Sequence, residues 1–111
     1  MDNAQRRKAA NEAVFRQVNE QIDDLQRRFA TVADGFLHIV CECDRVVCAD
    51  PLDVEVETYE RVRGDSACFF VGPGHEELSV ENVVETGPGY LVVRKHPGEP
   101  QQIAEDTDPR R

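Results

Sequence analysis

Three cysteines within eight residues, Cys41-Glu42-Cys43-Asp44-Arg45-Val46-Val47-Cys48, constrain this chain more than any other feature. Cys41 and Cys43 are two apart, so in an extended segment they project to the same side. Cys48 returns across a loop of four residues. The pattern C-x-C-x4-C therefore gathers three thiolates around one point, where zinc prefers four soft or borderline ligands in a tetrahedron. The fourth ligand must come from elsewhere in the chain. His75 follows the rigid turn Gly72-Pro73-Gly74, which presents its side chain to a neighbouring loop. Cys68 is the alternative, but it stands in the apolar run Cys68-Phe69-Phe70-Val71, where a free cysteine acts as a small core residue. The expected metal site is Cys41, Cys43, Cys48 and His75, with zinc as the ion.

A chain of 111 residues fits one small domain, and its 40% hydrophobic content makes a marginal core that a bound metal would help to close. The formal charge of −9 is unevenly placed. Residues 1–31 carry six basic and five acidic side chains, whereas residues 32–111 carry seven basic and seventeen acidic ones. That acidic surplus repels phosphates, which disfavours nucleic acid and anionic membrane as partners. Arg6, Arg7 and Lys8 are not followed by the apolar stretch of a secretory signal, and no run reaches the roughly 20 apolar residues of a membrane helix. A cytoplasmic location is expected, and in a reducing compartment the cysteines are thiolates, free or metal-bound, rather than disulfides.

Residues 3 to about 31 read as one helix. Phe15, Val18, Ile22, Leu25, Phe29 and Val32 recur at heptad spacing, and Asp2 stands where a helix cap belongs. This seam is expected to pack on the domain through Ile22 to Val32 and to meet a second chain near Phe15 and Val18. Phe36 to Cys41 reads as a strand leading into the cysteines, Leu52 to Val54 as a short strand, and Val56 to Arg63 as two helical turns stopped by Gly64. Cys68 to Val71 is a short buried strand, and Thr86-Gly87-Pro88-Gly89 turns a hairpin between Ser79–Glu85 and Tyr90–Lys95. From Pro97 on, the chain reads as a disordered acidic tail. The expected fold is α+β. It comprises a long N-terminal amphipathic helix (residues 1–35), a zinc-binding domain with a small, mainly antiparallel sheet and a zinc knuckle (36–96), and the tail (97–111).

Four motifs stand in order: Phe15-Arg16-Gln17-Val18-Asn19-Glu20, Cys41 to Cys48, Tyr59-Glu60-Arg61-Val62-Arg63, and Phe69 to Glu76. As a set they resemble a pattern of small uncharacterised actinobacterial proteins: F-R-x-V-N-E on a long helix, then C-E-C-x4-C, Y-E-x-V-R and F-x-V-x-P-G-H-E. The resemblance covers residues 15–76. It implies that the position of Cys68 lies outside the ligand set, which favours His75, and it carries no function. The cysteine spacing is also similar to the post-SET zinc motif of histone methyltransferases. That similarity is eight residues long, and it speaks only for zinc chelation.

Other polar residues have plainer readings. Glu76, beside His75, can orient its ring as a supporting carboxylate or be solvated. Arg61 and Arg63 can anchor an anion or sit on a surface helix whose Tyr59 and Val62 face the core. His38 reads as a strand filler, and His96 as a residue at the edge of the tail. No G-x-S-x-G, H-E-x-x-H, P-loop or Rossmann fingerprint is present. The leading function is a zinc-binding adaptor or regulatory protein acting by protein–protein contact, with a homodimer through the N-terminal helix as the simplest assembly. The alternatives are a small zinc hydrolase or lyase with water in the fourth position and His75 or Glu76 as base, and a thiol redox sensor.

Overall fold

The computed structural model describes residues 1–28, 35–45 and 47–110. In chain order the elements are α1 (Asn3–Arg28), β1 (Phe36–Val40), β2 (Pro51–Glu55), α2 (Val56–Arg63), β3 (Cys68–Val71), β4 (Glu81–Gly87), β5 (Tyr90–Lys95) and α3 (Glu99–Asp106). The α+β class is as expected. The strands form two antiparallel sheets rather than one: a β1–β2 ribbon and a three-stranded sheet in the order β3-β5-β4. Alternation explains the ribbon. Leu37 and Ile39 on β1, and Leu52 and Val54 on β2, point inward, while His38 and Asp53 face each other outside and bond at 2.7 Å. In the β4–β5 hairpin Gly89 takes a φ of +78°, and a Cβ on Gly87 would lie 2.1 Å from the Tyr90 ring. Both positions therefore require glycine. Between the layers Phe70 stacks on Tyr59 at 5.6 Å and meets Tyr90 edge-on at 5.7 Å.

Helix α1 starts where Asp2 predicts. Asp2 Oδ1 accepts the Gln5 N–H at 2.8 Å, and Gln5 Oε1 accepts the Asp2 N–H at 3.0 Å, a reciprocal cap. At about 1.5 Å per residue its 26 residues span ~39 Å, close to the 43 Å long axis of the molecule. The face it turns inward is not the expected one. Ala9, Glu12, Arg16, Asn19 and Asp23 are the buried residues, whereas Val14, Val18 and Leu25 are exposed and Ile22 is partly buried against the core. The heptad period is right and its phase is displaced by one residue. Directional bonds set the phase. Arg16 donates to the Ser66 and Ala104 carbonyls at 2.7 Å each and lies over the Phe69 ring, and Lys95 bonds Glu12 at 2.7 Å. Phe29 and Val32, the end of the expected seam, lie outside the described residues.

The C-terminal stretch read as a disordered tail instead carries α3, whose Ala104 is buried. Its acidic surroundings are used. Arg110 reaches back to Glu20 at 2.8 Å and Glu60 at 2.9 Å, so pairing supplies the attachment that the sparse apolar residues do not. Among the described residues no helix is long and apolar enough to cross a membrane.

Candidate metal centre

Strand β1 ends at Val40, but its ladder continues one step, because the Cys41 N–H bonds the Asp50 carbonyl at 2.9 Å. The next amide, of Glu42, bonds the Phe70 carbonyl at 2.8 Å, so this dipeptide crosses from one sheet to the other. Alternation then separates the side chains: Cys41 and Cys43 face the knuckle, and Glu42 faces the interior. The Cys48 N–H bonds the Arg45 carbonyl at 3.0 Å, turning the loop back. On the other side, His75 is delivered by the turn after β3, where its N–H bonds the Gly72 carbonyl at 3.0 Å and Gly74 takes a φ of +88°.

These turns bring Cys41, Cys43, Cys48 and His75 together, with their ligand atoms all within 4.8 Å of one another. His75 Nδ1 lies 3.4 Å from Cys41 Sγ and 3.5 Å from Cys48 Sγ. A tetrahedral ion bound at about 2.3 Å to sulfur and 2.0–2.1 Å to nitrogen holds its ligands about 3.5 Å apart. The cluster fits a metal ion. The three cysteines are buried free thiols, and the imidazole edge is the most exposed part of the shell. Burial pushes the Cys41 and Cys43 thiols up, and a neighbouring thiol adds to this in each case, Cys43 for Cys41 and Cys48 for Cys43, so a metal cation is what would hold them as thiolates at neutral pH.

Cys68 is elsewhere. It is buried in β3, outside the cluster, and burial followed by Asp65 pushes its thiol up to about 12. His38 is an exposed ribbon residue, and His96 meets Asn82 at 3.2 Å. Glu76 is not the carboxylate beside the imidazole. Asp50 is, 3.5 Å from His75 Nε2, while Glu76 Oε1 is buried without a hydrogen-bond partner. The Gly72 N–H donates to Cys41 Sγ at 3.2 Å, a bond that stabilises thiolate charge. Neither contact was visible in the chain, since both depend on how two distant turns meet.

Glu42 is the largest omission. It is fully buried, receiving Asn19 Nδ2 at 2.7 Å, the Phe70 N–H at 2.9 Å and the Arg63 guanidinium. Asn19 also bonds both backbone groups of Val40, at 2.7 and 2.9 Å. Arg63, expected on a surface, is buried beside Tyr59 and Phe70, whereas Arg61 is exposed and bonds Glu85 at 2.7 Å. A carboxylate between two cysteines that turn to the knuckle had to face the opposite side, which was the available signal; its partners lay on elements far along the chain.

Comparison of the chain with protein-family models, curated proteins and solved structures finds no match.

Proposed function

We propose that this chain is a cytoplasmic zinc-binding adaptor or regulatory protein, in which zinc is structural and the output is protein–protein contact. The observation that carries the reading is the closure of the shell: four protein ligands, three of them buried sulfurs, converge on one point. Three thiolates and one imidazole in a tetrahedron are a zinc set. A hydrolase or lyase would leave the fourth position to water, and His75 fills it. A redox sensor would need exposed, low-pKa thiolates, and burial works against both conditions here. Protein purified without chelators is expected to carry about one zinc per chain by elemental analysis. Cys68→Ser should keep the metal and cost on the order of 1 kcal/mol, whereas His75→Ala should weaken retention. Metal-free protein, or loss of zinc in Cys68→Ser with retention in His75→Ala, overturns the assignment.

The contact surface in this reading is the outer face of α1. Val14 is 59% exposed and Leu25 52%, and Val18 lies between them on the same side. A second copy in antiparallel pairing is the simplest occupant, since closed twofold contacts are the commonest assemblies. Sedimentation at micromolar concentration is expected to show a dimer. Val14→Asp combined with Val18→Asp should give a folded, zinc-loaded monomer, because neither side chain supports the interior. A wild-type monomer removes the homodimer from the proposal.

A further inference from the structure

A cavity of about 130 Å³ opens beside the metal centre, where α1, the loop after Cys43, the turn before β4, the end of β5 and the start of α3 converge. Ala9, Val80 and Pro100 give it apolar walls. Its lining also includes two buried charged side chains, Glu12 and Lys95. Lys95 Nζ donates to Glu12 Oε2 at 2.7 Å and to Glu81 Oε1 at 2.6 Å, and none of the three side chains is more than 5% exposed. Glu81 Oε2 is taken by the Glu77 N–H at 3.0 Å. Glu12 Oε1 accepts no hydrogen bond from the described residues and is not sealed from solvent. The floor thus holds two buried carboxylates for one ammonium, with one carboxylate oxygen unclaimed on a side chain that lines the cavity.

A buried charge without full compensation is costly, and two things can supply the missing positive charge: a proton or a cation. The surrounding charges favour the same sign. Lys8 on α1 is 3.6 Å from Asp44 of the knuckle loop, Glu77 lies on the turn, and Glu99 of α3 is held by Arg6 at 2.7 Å and by the Met1 α-ammonium, which also lines the cavity, at 3.2 Å. Counting Glu12, Glu81 and Lys95, five acids stand around the cavity against four cations. An anion is repelled, and a neutral ligand leaves Glu12 Oε1 as it was. A cavity of ~150 Å³ accommodates a benzene-sized molecule, so this one suits about five heavy atoms.

We propose that this cavity binds a small primary alkylammonium, its head on Glu12 Oε1 and its chain along Ala9, Val80 and Pro100. The proton is its competitor. Burial pushes the Glu12 carboxyl up to about 7, with Lys95 pulling the other way, so Glu12 is protonated below neutral pH and the cation must displace that proton.

The test is a titration of the full, metal-loaded chain with n-butylammonium, n-butanol and butyrate, followed by amide NMR shifts and calorimetry. Butylammonium is expected to saturate, butanol to bind at least about tenfold more weakly, and butyrate not to bind. Affinity should fall about tenfold from pH 8 to pH 6, with proton release seen as a buffer-dependent heat. Glu12→Gln keeps the shape, and should lose both the affinity and its pH dependence. Should Glu12→Gln fail to fold, Val80→Phe narrows the apolar walls without touching the charges and is expected to abolish binding. Absence of saturable amine binding, equal binding of butanol, or unchanged affinity in whichever variant folds overturns the proposal.

Discussion

Cys43→Ser is expected to release the metal and unfold the region around the knuckle. Structural zinc contributes on the order of 10–16 kcal/mol of apparent binding free energy at neutral pH, comparable with or above the roughly 5–15 kcal/mol that a small domain has in total. The reason to expect a global effect lies in where the ligands stand. Cys41 and Glu42 bridge the two sheets through the bonds to Asp50 and Phe70, so a slack knuckle frees the ribbon from the three-stranded sheet. Circular dichroism with urea unfolding, and zinc release followed with a chromophoric chelator, measure the two halves of the expectation. The same collapse should follow chelation of the wild-type protein. A Cys43→Ser protein that keeps its metal and its unfolding midpoint shows that Cys43 is not a ligand.

The second large effect is expected at Glu42. Removing one partner of a buried ion pair typically costs about 3–5 kcal/mol, because the other charge is left uncompensated. Glu42→Leu strands Arg63, and Arg63→Met strands Glu42, with both side chains at or below 2% exposure. Each single variant should be severely destabilised, and Glu42→Leu should also weaken zinc retention because residue 42 sits between two ligands. The double variant Glu42→Leu/Arg63→Met should recover a large part of the loss, since apolar groups of similar volume often replace a buried pair at little net cost. Urea denaturation of all four proteins gives the cycle. Single variants within 1 kcal/mol of wild type mean that the pair carries little of the fold.

Local signals in the sequence were enough for the short elements. Val56 to Arg63 forms a helix as its periodicity implies, and Thr86 to Gly89 turns the β4–β5 hairpin because its glycines admit the backbone that a tight turn needs. His75 was legible from the Gly-Pro-Gly turn before it, and Cys41 and Cys43 from their spacing. What the sequence concealed was long-range pairing of polar groups. Hydrophobic periodicity puts Leu25 against the domain, but Arg16 and Asn19 have partners on α3 and β1 whose positions no local pattern reveals. The same holds for α3. Its composition resembles a solvated tail until Arg16 and Arg110 are seen to hold it.

The attachment of α1 by bonds rather than by an oily stripe has a consequence for the order of assembly. An apolar face can dock loosely and slide into register, whereas Asn19 has a place only once Val40 and the Glu42 carboxylate stand in theirs. Glu42 reaches that place when Cys41 and Cys43 are drawn to one side. The helix is thus expected to seat last, and refolding started by adding zinc should show the knuckle closing before α1 gains its protection from hydrogen exchange.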